Sequence, residues 1–213
     1  MSRWWPLTGI AFGAFWIAAF GLYLVKEPGV SDAERVAFYN DESNQGRAQI
    51  ASVLIVVAGL FFLWFLTGLR ARLARAEGKD GALTALAFGA GLVASALWVV
   101  ASVFWMAPGY TIQEDDAFTL DANVSRLVAE MGYLIWVFGT VVALLLVLAT
   151  SLLGLKARVV PRWVAWLGFL VSAAILVSAL FVGFFVFLAW VLLVSIVFIV
   201  RGERAEEFSR LRA

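Results

Sequence analysis

Long apolar stretches alternate with short polar segments along the chain. Four of these stretches are almost free of charged residues and cover approximately residues 4–25, 48–69, 82–107 and 127–155. The hydrocarbon core of a bilayer is about 30 Å thick, so a spanning helix needs about 20 mostly apolar residues. Each stretch is long enough, and the pattern predicts four transmembrane helices.

A last uncharged stretch, residues 163–200, is too long for one span. At 1.5 Å per residue a single helix would measure about 57 Å, nearly twice the hydrocarbon core. Two spans over 163–181 and 183–200 fit instead, with a turn near Phe181, Gly183 and Phe184, where a glycine relieves a tight corner. The chain is therefore predicted to be all-α, with six spans in one transmembrane domain (residues 1–203) and a short tail (residues 204–213).

The basic residues predict how these helices are oriented. If the N-terminus is cytoplasmic, most of the 16 Lys and Arg residues fall inside, and the outer side holds only Lys26, Arg35, Arg47 and Arg126. This distribution follows the positive-inside rule. Both termini are then cytoplasmic, which requires an even number of spans and favours six over five. We expect a multi-pass protein of the cytoplasmic membrane.

The two predicted outer loops carry local signals of their own. Ser31 and Glu34 have the spacing of a capping box, which predicts a short surface helix reaching Tyr39. Pro108 and Gly109 form a turn signal that would begin the second loop. The acids of that loop lack the alternating spacing and the turn glycine of a calcium loop, so no metal site is expected.

Composition narrows the possible chemistry. The chain is 63% hydrophobic and 15% charged, with a mean hydropathy of +0.94, which excludes a soluble globular domain, a disordered chain and a nucleic-acid binder. It has neither Cys nor His, so thiol chemistry and imidazole bases or ligands are excluded. The ionisable residues fall outside the predicted spans or at their ends, whereas proton pumps and ion-coupled transporters keep charges inside the membrane. We expect no catalytic residue, no metal and no cofactor, and we do not expect the protein to be an enzyme.

One group of charged residues is a candidate ligand site. Glu130 lies one turn inside the fourth span, Arg126 precedes it by four residues on the same helix face, and Arg47 begins the second span at the same level. These three side chains could line an outward-facing pocket. Alternatively, they form an interfacial ion pair that only orients the helices.

Small and large residues inside the spans suggest how the helices pack. Small residues at four-residue spacing let helices approach closely in lipid, and such stripes are formed by Gly9 and Gly13, by Ala87, Gly91 and Ser95, and by Gly168 and Ser172. Packing within the chain is expected, with contact between two copies as the alternative. The deeper tryptophans either pack in the core or line a cavity for an apolar or cationic ligand: Trp16, Trp98, Trp136 and Trp190.

One segment resembles a known family. It includes Gly132 to Trp136, then an apolar stretch, then Lys156 to Gly168 with Pro161, Arg162 and Trp163 before the fifth span. This pattern resembles a large group of uncharacterised bacterial six-helix membrane proteins that share a domain of unknown function. The resemblance implies six spans and no particular activity.

Three classes of function fit these observations. The first is an accessory, scaffolding or regulatory subunit that binds protein or lipid through its helices. The second is a small channel or uniporter whose acidic outer mouth concentrates cations. The third is an outer-face enzyme acting on lipid through Glu130 or the loop acids. The expected partners are the bilayer and a membrane protein or a second copy of the chain, and no nucleic acid.

Overall fold

The chain is a bundle of long helices. The computed structural model describes residues 4–24, 31–115, 117–177 and 182–210. Within these ranges there are seven helices and no strand: α1 (Trp5–Leu24), α2 (Asp32–Asn40), α3 (Glu42–Glu77), α4 (Ala82–Glu114), α5 (Ala122–Ala157), α6 (Arg162–Val177) and α7 (Val182–Arg210). The predicted all-α class is confirmed.

Five helices, α1, α3, α4, α5 and α7, are long and apolar enough to cross a membrane. Helix α6 is apolar but has 16 residues, about 24 Å of helix, which is shorter than the hydrocarbon core. A membrane protein with five candidate spans is therefore supported by length and apolarity. The sixth span and the orientation stay predictions, and Val25, at the end of the first predicted span, lies outside the described residues.

Helices α3 and α5 begin before their predicted spans, because an apolar stretch marks only the part suited to hydrocarbon. Helix α3 begins at Glu42 and α5 at Ala122, each after an aspartate cap. Asp41 accepts hydrogen bonds from the backbone N–H groups of Ser43 and Asn44 at 2.9 and 3.3 Å, and Asp121 caps α5 in the same way. Side-chain oxygens at this position satisfy N–H groups that have no partner in the first turn.

The predicted turn at Pro108 and Gly109 is wrong, because α4 continues through both residues to Glu114. A proline in a helix removes one backbone hydrogen bond, a loss that neighbouring helices can compensate. Both residues are buried, and a Cβ on Gly109 would lie 3.2 Å from Cγ of Gln45 in α3. This packing keeps the segment helical. The turn signal in the sequence carries no information about this contact with α3.

The predicted division of the last uncharged stretch into two helices is confirmed, and only the place of the turn differs. Helix α6 ends at Val177 and α7 begins at Val182, so Gly183 and Phe184 lie in the first turn of α7, while Phe181 lies outside the described residues. Phe184 is fully buried. Helix α7 then runs to Arg210, into the segment predicted as a tail.

Neighbours in sequence are neighbours in space. Helix α1 packs on α3, α3 on α4, α4 on α5, α5 on α6 and α6 on α7, and α7 returns to α1 to close the ring. Helix α5 also contacts α3 and α7. The short helix α2 lies on α3, α4 and α5, and thus covers one end of the bundle.

Aromatic rings fill the middle of this ring of helices. Trp98 of α4 lies 5.1 Å from Phe184 and 5.7 Å from Phe62, measured between ring centroids. Its indole N–H donates to Oγ1 of Thr140 at 3.3 Å. The fully buried rings come from five helices: Phe12, Trp16, Phe62, Phe65, Trp98, Trp136, Phe184, Phe187 and Trp190. The four deep tryptophans are therefore packed in the core, as the first of the two alternatives predicted.

Candidate functional site

Helix α2 begins with the predicted capping box. The backbone N–H of Glu34 donates to Oγ of Ser31 at 3.3 Å, and the backbone N–H of Ser31 donates to Oε2 of Glu34 at 3.1 Å. The hydrogen bonds from Ser31 also lower the pKa of Glu34 below its usual value. The predicted short helix with its capping box is confirmed, and its first turn is fixed by its own side chains.

The other end of α2 is tied to α3. The side-chain amide of Asn44 donates to the carbonyl of Phe38 at 3.1 Å, and that of Gln45 donates to the carbonyl of Tyr39 at 2.7 Å. The last carbonyls of a helix have no partner within it, so these two amides satisfy groups that would otherwise lack a bond. Asn44 and Gln45 are both buried, which holds α2 firmly on the bundle.

An ion pair connects α2 to α5. Nη2 of Arg126 lies 2.9 Å from Oδ1 of Asp32. Both side chains are about half exposed, at 46% and 62%, and exposed pairs contribute only about 0–1 kcal/mol to stability. The pair therefore serves mainly to set the position of α2. We call α2, with the first turns of α3 and α5 and the end of α4, the α2 cap.

The three predicted site residues all lie at this end of the bundle. Arg47 is half-buried on α3, and Arg126 and Glu130 are exposed on α5. The structure brings Arg126 to Asp32, and neither Arg47 nor Glu130 forms an ion pair with a residue in the described ranges. A ligand-binding role for these residues stays a prediction. Sequence reasoning missed Asp32 because it lies 94 positions from Arg126.

Within the cap are buried polar atoms that the sequence did not single out. Oδ1 of Asn44, Oε1 of Gln45, Oγ of Ser125 and Nε of Arg35 are buried and lack a hydrogen-bond partner among the described residues. Burial raises the pKa of Tyr39, and the nearby Arg35 charge opposes that rise. One feature of the sequence points to these buried groups: Asn44 and Gln45 are polar residues just before a long apolar stretch.

The α2 cap offers hydrogen-bonding groups and an acidic surface to a binding partner. In the described ranges no group of three or more Asp, Glu, His or Cys residues is placed to hold a metal ion. The acids are exposed around the cap, on α2, at the helix ends and on the α4–α5 connection: Asp32, Glu34, Glu42, Glu114, Asp115, Asp121 and Glu130. This surface would attract a positively charged group.

The small residues predicted for helix packing face neighbouring helices of the same chain. A Cβ on Gly9 of α1 would collide with Ser195 of α7. A Cβ on Gly13 of α1 would lie 2.6 Å from Leu192 of α7. A Cβ on Gly91 of α4 would lie 2.6 Å from Leu66 of α3. Ala87 and Ser95 of α4 are buried. Contact between two copies of the chain stays a prediction.

The third stripe lies where α5, α6 and α7 meet. A Cβ on Gly168 of α6 would collide with Oγ of Ser151 in α5 and would lie 3.2 Å from Nε1 of Trp190 in α7. Oγ of Ser172 donates to the carbonyl of Gly168 at 2.8 Å. Only a residue without a side chain fits between these helices.

Comparison with known proteins gives a family and no activity. A family model described as a domain of unknown function (DUF4386) matches residues 4–203. The matched range includes the segment from Lys156 to Gly168 on which the sequence resemblance rests. No curated protein and no solved structure matches the chain.

Proposed function

This chain belongs to the DUF4386 family, a domain of unknown function, and we propose that it is a non-enzymatic accessory subunit of the bacterial cytoplasmic membrane. It crosses the membrane six times and binds a partner membrane protein at the α2 cap. One observation carries the proposal: α2 packs on three other helices, is tied to two of them by amide hydrogen bonds and an ion pair, and presents an acidic surface. A surface fixed before binding loses little conformational entropy when a partner docks.

The charge distribution supports an outward-facing cap. The part of the bundle away from the cap carries basic residues in or next to α3, α5 and α7: Arg70, Arg72, Arg75, Lys79, Lys156, Arg158 and Arg201. Basic residues accumulate on the cytoplasmic side of membrane proteins. Placing that end inside puts the cap outside and both termini in the cytoplasm, with α6 as the short fifth span.

The interior of the bundle favours binding over transport. Ion-coupled transporters place ionisable residues within the membrane, and here those residues lie near the helix ends. The centre of the ring is filled by aromatic side chains such as Trp98 and Phe184. We therefore rank the small channel second, because its acidic mouth would lead into packed rings, and the lipid-acting enzyme third.

The acidic cap also indicates what kind of partner fits. Anionic lipid head groups would be repelled by it, whereas a basic segment of a protein would be attracted. The attraction is screened by salt, with a Debye length of about 8 Å at physiological ionic strength. We therefore propose a membrane protein with a basic outer segment as the partner.

A charge swap in the α2 cap tests this proposal. Asp32→Arg places two cations together, which should release α2 from α5, and we expect a co-purifying partner to be lost at least tenfold. The double variant Asp32→Arg/Arg126→Asp restores an ion pair with the same net charge, and the partner should return. The measurement is gentle purification from the source membrane followed by quantitative mass spectrometry of stoichiometric proteins.

Arg75→Glu, at the end of the bundle opposite the cap, is the matched control and should keep the partner. A wild-type protein that purifies without a stoichiometric partner would contradict the proposal. So would a partner retained equally by Asp32→Arg.

Cysteine labelling tests the orientation. The chain has no native Cys, so single-cysteine variants can be read directly. Asp115→Cys, beside the cap, should react with a membrane-impermeant thiol reagent in intact cells, and Ala76→Cys should react only after the membrane is permeabilised. Labelling of Ala76→Cys in intact cells would overturn the orientation.

A further inference from the structure

A groove between α1 and α3 opens on the outer surface of the bundle, at the end opposite the α2 cap. We call it the α1–α3 groove. Its volume is about 350 Å³, and the residues that line it include Trp4, Trp5, Thr8, Ala11, Phe61 and Trp64. Trp5 and Thr8 are buried, whereas Trp4 and Trp64 are 62% and 60% exposed. The groove is therefore accessible from the surroundings of the bundle, which in a bilayer are lipid.

The lining of the α1–α3 groove suits a hydrocarbon chain. No lining side chain in the described ranges carries a charge, and the hydroxyl of Thr8 already donates to the carbonyl of Trp5 at 2.6 Å. From Trp4 to Ala11 the lining extends about 10 Å, or two thirds of the roughly 15 Å of hydrocarbon in one leaflet. An acyl chain needs no hydrogen bond, so this groove can hold one.

A basic side chain lies at one end of the α1–α3 groove. A Cβ on Gly68 of α3 would collide with the ring of Trp5, and Arg72 follows one turn later on the same helix face. The guanidinium carbon of Arg72 lies 5.7 Å from the ring centroid of Phe198, and that ring lies 5.1 Å from the ring of Trp5. Arg72 is therefore on the α1 side of α3, next to the groove.

The charge of Arg72 is not neutralised within the described part of the chain. Arg72 is exposed and forms no ion pair with a described residue. Glu77, the next acid along α3, is engaged elsewhere, because its carboxylate accepts hydrogen bonds from the backbone N–H groups of Leu83 and Thr84 at 2.7 and 2.8 Å. Further positive charge comes from three residues near Arg72 in sequence: Arg70, Arg75 and Lys79. The complementary group at this end of the groove is an anion.

The exposed tryptophans indicate the depth of the groove in a bilayer. Tryptophan is enriched where hydrocarbon meets the lipid head groups, and Trp4 and Trp64 are both exposed beside the groove. Gly68 packs on Trp5, and Arg72 lies about 6 Å further along α3. The head-group layer is about 5–7 Å thick on each side of the hydrocarbon. An acyl chain in the groove would therefore have its head group at the level of Arg72.

We propose that the α1–α3 groove binds one anionic phospholipid, with an acyl chain along the groove and the phosphate at Arg72. A guanidinium group matches the geometry of a phosphate. A zwitterionic lipid offers the same chains and the same phosphate, but its ammonium group is repelled by the basic residues around Arg72. This inference goes beyond the partner proposed for the α2 cap, because the two sites lie at opposite ends of the bundle.

Native mass spectrometry of the full chain tests this inference. The protein is released from detergent micelles during a titration with phosphatidylglycerol, which resolves each bound lipid by mass. We expect one phosphatidylglycerol to bind more tightly than those that follow. Arg72→Gln should weaken this first binding about fivefold, the value of one basic residue at an anionic lipid surface. Phosphatidylcholine with the same acyl chains should bind at least fivefold more weakly than phosphatidylglycerol.

Two matched controls separate the site from general effects. Arg70→Gln removes the same charge two residues away, but Arg70 lies over the ring of Phe88 in α4, 4.8 Å from its centroid, and the variant should bind like the wild type. Ala11→Phe fills the groove and should abolish the tight binding, whereas Ala18→Phe, at an exposed position of α1 outside the groove, should not. If Ala11→Phe does not fold, Arg72→Gln decides the question, because its side chain is exposed.

Several results would overturn the inference. These are equal affinity in the wild type and Arg72→Gln, equal affinity for phosphatidylglycerol and phosphatidylcholine, or unchanged binding in folded Ala11→Phe. Competition by glycerol 3-phosphate as strong as by phosphatidylglycerol would show that the phosphate binds without the groove. A stable dimer that excludes the lipid would assign the groove to a second copy of the chain. Asp32→Arg should bind the lipid like the wild type, so failure here would leave the proposed role of the α2 cap intact.

Discussion

Trp98→Ala is expected to lower the free energy of unfolding by about 3 kcal/mol. Replacing a buried Trp or Phe by alanine costs about 3–5 kcal/mol in soluble proteins, from lost transfer energy and from the cavity left behind. In a membrane the transfer part is small, because lipid is as apolar as the core, and packing dominates. Trp98 is 1% exposed and contacts rings on α1, α3 and α7, so its loss opens a cavity that several helices border.

The measurement is thermal unfolding of purified variants in detergent, followed by size-exclusion chromatography. Trp98→Phe should cost less than Trp98→Ala, because it keeps a ring and loses mainly the hydrogen bond to Thr140. Trp64→Ala is the matched control, since Trp64 is 60% exposed on α3 and should change stability by less than about 0.5 kcal/mol. Equal losses for Trp98→Ala and Trp64→Ala would contradict the proposed core.

The sequence could predict what depends on local pattern. Apolar stretches of sufficient length identified the helices suited to a membrane, because the thickness of hydrocarbon sets their length. The capping box of Ser31 and Glu34 predicted α2, because both partners lie within one turn. The resemblance around Pro161 to Trp163 pointed to the family that the match over residues 4–203 then showed.

Predictions failed where distant residues decide the local structure. Pro108 is inside a helix because it and Gly109 pack on α3, and nothing within a few residues of it records that contact. The turn predicted near Gly183 was placed a few residues too late, since α7 already begins at Val182 and places Phe184 among the central rings. A turn signal reflects only residues that are close in sequence. The segment stays helical when its burial against other helices favours a continuous helix.

Contacts between helices were missed for the same reason. The ion pair that fixes the α2 cap joins residues 94 positions apart, so the sequence suggested Glu130 as the partner of Arg126. Ser151, Gly168 and Trp190 come from three helices, and each alone resembles an ordinary membrane residue. Nε1 of Trp190 and Oγ of Ser151 both lie beside Gly168, and neither atom has a hydrogen-bond partner among the described residues.

Gly91→Leu is the second substitution expected to have a large effect. A Cβ at Gly91 would lie 2.6 and 2.7 Å from the Cδ atoms of Leu66 and 3.2 Å from its Cγ, and Leu66 is itself 1% exposed and cannot move aside freely. Adding atoms to a packed interface costs about 1–3 kcal/mol. We expect Gly91→Ala to destabilise the bundle and Gly91→Leu to separate α3 from α4, with a lower melting temperature in detergent for each.

Gly89 gives a control two residues away on the same helix. Its added Cβ would meet no atom within 4 Å, and alanine has a higher helix propensity than glycine by about 1 kcal/mol. Gly89→Ala should therefore match the wild type or exceed it in melting temperature, while Gly91→Ala falls below it. The two variants add the same methyl group to α4, so a difference between them isolates the contact with Leu66. Equal melting temperatures would mean that α3 and α4 do not approach at Gly91, and the small-residue stripe would then have to serve an interface outside the chain.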